Sequence, residues 1–156
     1  MTILGRSILA VAGLAATVAV AAVATAQQSP QQVIEARQNA MKSFGAEMKA
    51  IGDGAKAGSL SKDEAVMRSK KLNDLANQAH SWFPRGSGPE SGVKTRALPA
   101  IWEKPADYRA AIDKFGLETA KLVAAAETGQ NATVAAQHGE VGKACGACHN
   151  GFRARQ

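Results

Sequence analysis

Apolar side chains recur every three or four residues along most of the chain, and a period of two is nowhere sustained for the length of a strand. β-Branched and aromatic residues are sparse, so helices are the elements this pattern predicts. From Gln31 to Ile51 the stripe is Val33, Ile34, Arg37, Ala40, Met41, Phe44, Met48 and Ile51, and Gly52-Asp53-Gly54 is expected to end the helix. Ser61 with Glu64 three residues later is a capping-box pattern. It opens a second helix with Val66, Leu72, Leu75, Ala76, Ala79 and Phe83 on its inner face, stopped by Pro84. Pro105 in a first turn starts a third, with Tyr108, Ala111, Ile112, Phe115, Thr119, Leu122, Val123 and Ala126 inward and Gly129 past its end. Asn131 or Thr133 is positioned to cap a fourth, which runs to about Arg155 and turns Val134, Val141, Cys145, Cys148 and Phe152 inward. The intervening RGSGPESGVKTRALPAIWEK reads as a long irregular crossover between the second and third helices. Each stripe needs partners to bury against, so the expected fold class is all-α, a bundle of four helices.

The first 26 residues stand apart from this pattern. Arg6 supplies a positive start, Ser7 to Val23 is apolar and rich in small residues, and Ala24-Thr25-Ala26 is a small-x-small cleavage pattern. Residues 1–26 therefore read as a cleaved secretory signal. A retained membrane anchor is the competing reading, opposed by the cleavage pattern and the polar QQSPQQ that follows. Residues 27–156 form one domain on this reading, exported to the periplasm and free of the membrane after cleavage. With Arg6 removed, eighteen Lys and Arg face thirteen Asp and Glu, a formal charge of +5. That balance suits acidic partner proteins, and the lack of a dense basic run with interleaved aromatics argues against nucleic acid.

The only two cysteines lie in KACGACHNGFR, as Cys145 and Cys148, with His149 directly after. On a helix these three share an arc of about 100°, so a single planar ligand meets all of them. Cys-x-x-Cys-His is the attachment signature of haem c, in which two thiols become thioethers and the imidazole ligates iron. A thioredoxin-like pair would need a strand before the motif, and structural zinc would need a fourth donor near these three. A structural disulfide would leave His149 without a purpose. His80 and His138 are more economically read as structural residues than as a second iron ligand, and Trp82 and Trp102 as packing residues. No Ser/His/Asp set, paired carboxylates or phosphate loop is evident, so no enzymatic activity is expected.

With these residues in view, nearly all of Gln31 to Arg155 resembles the cytochrome c′ family, including low-spin relatives of the cytochrome c-556 type. The resemblance is carried by EARQNAMKSFGAEMKAI, FPRGSG, LPAIW and the terminal CGACHNGFR. It implies an antiparallel up-down-up-down bundle with one covalently attached haem c per chain, held by Cys145 and Cys148, with His149 as the proximal ligand. It further implies that Arg153 lies close to that histidine and that Arg37 and Gln38 contact the haem edge, where an arginine pairs with a propionate. Thr95 and Arg96 are further candidates for the same edge. Met41 matches the family's distal position, either as a sixth iron ligand or as a pocket wall. Homodimers through the first two helices are frequent in the family.

Two functions follow from these alternatives. The first is a periplasmic mono-haem electron carrier between redox partners with acidic docking surfaces. The second, with Met41 unligated, is a haem protein that binds nitric oxide or carbon monoxide beside Met41 and Phe44. A helical interaction module without haem would require the motif to be coincidental.

Overall fold

A computed structural model describes residues 28–155, and the expected secretory segment lies outside them. The elements are α1 Pro30–Ala57, α2 Lys62–Gln78, α3 Ala100–Glu103, α4 Pro105–Glu127 and α5 Asn131–Phe152. The four long helices build the bundle: α2 lies between α1 and α4, α5 packs on α4, and α1 closes the ring against α5. Residues 58–61 join α1 to α2 and residues 128–130 join α4 to α5. Links this short leave antiparallel neighbours as the only arrangement. The crossover predicted between the second and third bundle helices is present, and it contains α3 and two 3₁₀ turns, Ala79–Ser81 and Pro89–Ser91.

The helix ends differ from the sequence expectation in instructive ways. Gly52 and Gly54 do not end α1, which runs to Ala57 and stops at Gly58, where φ is 69°. Both glycines serve close approach instead. A Cβ on Gly52 would lie 2.9 Å from the His138 ring, and one on Gly54 would lie 3.1 Å from Leu60. The complete capping box is at Ser29 and Gln32, at the start of α1. At Ser61 only half of it forms, because the Glu64 carboxylate turns to Arg68 at 2.8 Å. α2 ends at Gln78, so Phe83 enters the core from the crossover and not from the helix stripe. α5 starts with Gln130 at the cap and no side-chain cap bond. It ends at Phe152 because Arg153 turns extended and pairs with Ala97.

The interior divides into two apolar clusters. The larger runs along the bundle through Phe44, Ile51, Leu72, Phe115, Leu122 and Val141, with Phe44 and Phe115 ring centroids 4.7 Å apart. The smaller lies under the crossover, where Ile101, Tyr108 and Ile112 meet Phe83, Trp102 and Phe152. The Trp102 indole N–H donates to the carbonyls of Phe83 and Pro84 at 3.0 and 3.2 Å, which fastens the crossover to its own beginning. Three polar contacts set the helices against one another. His138 Nε2 bonds the Met48 carbonyl at 2.8 Å between α5 and α1, and Gln137 donates to the Glu118 carboxylate between α5 and α4. Between α1 and α2, buried Glu47 accepts from Lys71 at 2.6 Å and from Arg68 at 2.7 Å.

Two outcomes test this packing. In a free helix Gly→Ala stabilises by about 1 kcal/mol; Gly139→Ala, whose Cβ meets nothing within 4 Å, is expected to show that gain in thermal melts. Gly52→Ala is expected to lose about 1 kcal/mol instead, because the His138 ring must move and its bond to α1 breaks. The second outcome concerns pH. Lys71 and Arg68 hold the Glu47 carboxyl below its ordinary value, so its contribution is full above an unfolded value of about 4.3 and fades as pH falls through the lower folded one. Glu47→Gln should melt several degrees lower than the parent at pH 7, and the difference should shrink between pH 5 and pH 3.

Candidate functional site

The helical register of α5 puts Cys145, Cys148 and His149 on one face, all three half-buried. Cys145 packs on the larger apolar cluster and Cys148 on the smaller, so the two free thiols straddle the junction between them. Burial, reinforced by the neighbouring Cys148, pushes the Cys145 thiol up to about 11, and burial raises Cys148 as well. Both sulfurs are therefore protonated thiols at neutral pH. His149 is moved the other way: burial first, then the guanidinium groups of Arg153 and Arg96, lower its pKa. A neutral imidazole keeps the lone pair that a metal ligand requires.

Those two arginines reach His149 because the crossover is tied to the end of α5. The Leu98 N–H donates to the Phe152 carbonyl at 3.0 Å, and the Ala154 N–H donates to the Arg96 carbonyl at 2.8 Å. The same crossover binds α1. Arg37 donates to Ser87 Oγ at 2.9 Å and to Thr95 Oγ1 at 2.7 Å, while its guanidinium carbon sits 4.5 Å from the centre of the Phe83 ring. One residue on, Gln38 Nε2 donates to the Lys94 carbonyl at 3.4 Å. Arg37, Gln38, Thr95, Arg96, Arg153 and His149 thus gather at one end of the bundle.

Arg37 is the least ordinary of these residues. It is only 4% exposed, its partners are two hydroxyls and an aromatic face, and it makes no ion pair with any described carboxylate. Burial lowers its pKa, partly offset by Tyr108 and Glu90. A buried cation without a counter-ion is costly, and it fits a group that brings its own carboxylates, as the propionates of haem do. The residues present therefore suit the prosthetic group that the motif implies.

Met41 can be placed by counting from the contact between His138 and Met48. Seven residues further along α5 is Cys145, and seven back along antiparallel α1 is Met41. Eleven residues in each direction reach His149 and Arg37, about 16 Å of helix at 1.5 Å per residue. Met41 therefore stands level with the first cysteine, one helical turn from the level of His149. It lies outside the core, 37% exposed. The other histidines are engaged elsewhere, His138 with the Met48 carbonyl and His80 with Asp113 at 3.1 Å. Ser87 and Phe83, which hold Arg37, carry no sequence signal of that task. Only the FPRGSG stretch around them marks the place.

Comparison with known proteins agrees with this arrangement. The family model described as Cytochrome C′ matches residues 32–153. Cytochrome c-554 of Cereibacter sphaeroides is 32% identical over 156 residues, covering 95% of this chain and 97% of that protein. Cytochrome c′ of Rubrivivax gelatinosus is 44% identical over 68 residues, a match spanning 44% of this chain and 53% of the relative. A crystal structure of cytochrome c′ from the same organism superposes with a TM-score of 0.74 at 31% identity, covering 81% of this chain and 98% of the other. A ferrous variant of cytochrome c′ from Alcaligenes xylosoxidans with bound nitric oxide shares the fold, with a TM-score of 0.74, 22% identity, and coverage of 82% of this chain and 98% of that one. Matched from the first turn of α1 to the arginine that follows α5, this chain belongs to the cytochrome c′ family of haem proteins, and its cofactor is covalently attached haem c.

Proposed function

We propose that the protein is a periplasmic mono-haem cytochrome that carries single electrons between partner proteins, with residues 1–26 removed on export. The observation that carries this reading is the shared α5 face: two thiols and one neutral imidazole, straddling two apolar clusters beside a buried cation that lacks a counter-ion. Bound there, haem supplies a one-electron couple at its iron.

The chain's own residues do the rest. Cys145 and Cys148 would hold the ring by two thioether bonds, and His149 would present its lone pair from the next position on the helix. Arg37, anchored by Ser87 and Thr95, would hold a propionate in place. Arg96 and Arg153 place positive charge beside His149, which favours its neutral form and the electron-rich state of the centre. Phe83, Tyr108 and Phe152, packed edge to face with centroids 5.4 Å apart at each step, exclude water from the Cys148 side. No proton transfer and no substrate pocket are required, and the protein acts as a carrier, not an enzyme. Among the described residues no helix is long and apolar enough to cross a membrane.

The alternative is a gas-binding haem protein, in which Met41 stands level with the first cysteine as a pocket wall and not as an iron ligand. Met41 and Phe44 would then wall a site for nitric oxide or carbon monoxide. A homodimer through α1 and α2 is compatible with either function.

Two measurements follow. Cys145→Ser with Cys148→Ser is expected to abolish the haem stain that survives denaturing electrophoresis, and a surviving stain would refute attachment at these thiols. The optical spectrum of the purified protein, with and without carbon monoxide, separates the two functions. The carrier reading expects a low-spin spectrum indifferent to carbon monoxide that Met41→Ala turns high-spin and reactive. A high-spin parent that binds carbon monoxide, little changed by Met41→Ala, would put gas binding in its place.

A further inference from the structure

The charge of the chain is distributed unevenly about this site. Three segments meet there: 36–46 of α1, 91–102 of the crossover and α3, and 141–155 at the end of α5. Together they hold seven Lys and Arg and no Asp or Glu. The rest of residues 27–156 holds eleven basic and thirteen acidic side chains. Glu35, Glu47, Glu90, Glu103 and Glu140 each sit one residue outside these bounds, so the face is marked by its exposed, unpaired cations and not by the segment totals.

That the three segments form one face is a matter of contacts. The Gln38 amide meets the Lys94 carbonyl, Arg37 meets Thr95, and the backbone of 96–98 pairs with that of 152–154. Of the seven cations, Arg37 is buried and Lys143 is paired with Glu140 at 2.7 Å. The other five, Lys42, Lys94, Arg96, Arg153 and Arg155, are exposed and make no ion pair with a described carboxylate. The two propionates of a haem would neutralise two charges at most, and Arg37 already takes one of them. A net positive rim remains around the edge through which electrons would pass.

We propose that this face, formed by the start of α1, the crossover and the end of α5, is the docking surface for an acidic protein that exchanges electrons with the haem; this rests on the electron-carrier function above. Like charges concentrated within about a Debye length of one another steer an oppositely charged partner and orient it, with the greatest effect on association rate at low salt. Here orientation brings the partner to the haem edge, where five exposed cations have no carboxylate partner among the described residues. A lipid surface is the poorer fit, because the cations come from three separate segments and do not flank the bulky apolar face of a surface-lying helix.

The test uses two triple variants of the haem-loaded protein that change net charge equally. One reverses the face (Lys42→Glu, Lys94→Glu, Arg155→Glu), and the other reverses exposed lysines elsewhere (Lys56→Glu, Lys70→Glu, Lys114→Glu). The reduced proteins are oxidised by anionic hexacyanoferrate(III) and by cationic hexaammineruthenium(III), one electron each, from 10 to 200 mM ionic strength. In the parent, the hexacyanoferrate rate is expected to fall about tenfold with salt while the ruthenium rate rises. The face variant should lose both trends and the other variant should keep them. A twenty-residue polyglutamate should shift backbone amides of the three segments in the parent and not in the face variant. Equal effects of the two variants, or polyglutamate shifts scattered over the bundle, would overturn the proposal. So would binding to phosphatidylglycerol vesicles without binding to polyglutamate, which would make the face a lipid contact. Failure to exchange electrons with either reagent at any salt would instead sink the carrier function, and the polyglutamate map would still decide whether the face takes acidic partners.

Discussion

Two backbone hydrogen bonds, from Leu98 to Phe152 and from Ala154 to Arg96, hold the working end of this molecule together. A helix terminus leaves carbonyls without intrahelical partners, and at the end of α5 the chain satisfies one of them by pairing with the crossover. The pairing orders a segment with little regular structure of its own. Once 94–98 is fixed, the Thr95 hydroxyl meets Arg37, Arg96 approaches His149, and the Lys94 carbonyl receives Gln38. Residues distant in the sequence become one site through main-chain bonds that depend on no particular side chain.

The electrostatics of the site run against the stability of the chain alone. Arg37 is a buried guanidinium with only neutral partners, and His149 sits half-buried between two further cations. Each arrangement costs free energy in isolation and suits a group that carries its own carboxylates, as haem does. Local conflicts of this kind are expected where a fold makes room for function.

Much of the fold was legible along the chain because helical periodicity is a local property. The stripes that contain Ile34, Phe44, Leu72, Phe115, Leu122 and Val141 are the stripes found in the core. Helix ends were less legible, because a glycine signals freedom of the backbone without saying what uses it. Gly58 and Gly129 end helices at positive φ, whereas Gly52 and Gly54 lie inside α1 to admit His138 and Leu60. That distinction requires knowing which helix lies opposite. The Ser61-to-Glu64 pattern had the same weakness: its glutamate had a competing partner in Arg68, one turn further on.

The sequence by itself determined the chemistry that needs only neighbours along one helix. Cys145, Cys148 and His149 are placed on a common face by the pitch of an α-helix, whatever surrounds them, so haem c attachment was readable from spacing. The tertiary structure decided everything that depends on meeting across the bundle. It brought Ser87 and Phe83 to Arg37, set Met41 level with Cys145, and gathered cations from three separate segments at one end of the bundle. The physical reason is range: helical geometry links residues three or four apart, whereas charge, burial and the close approach of backbones act between segments whose proximity is set only once the crossover has joined α5.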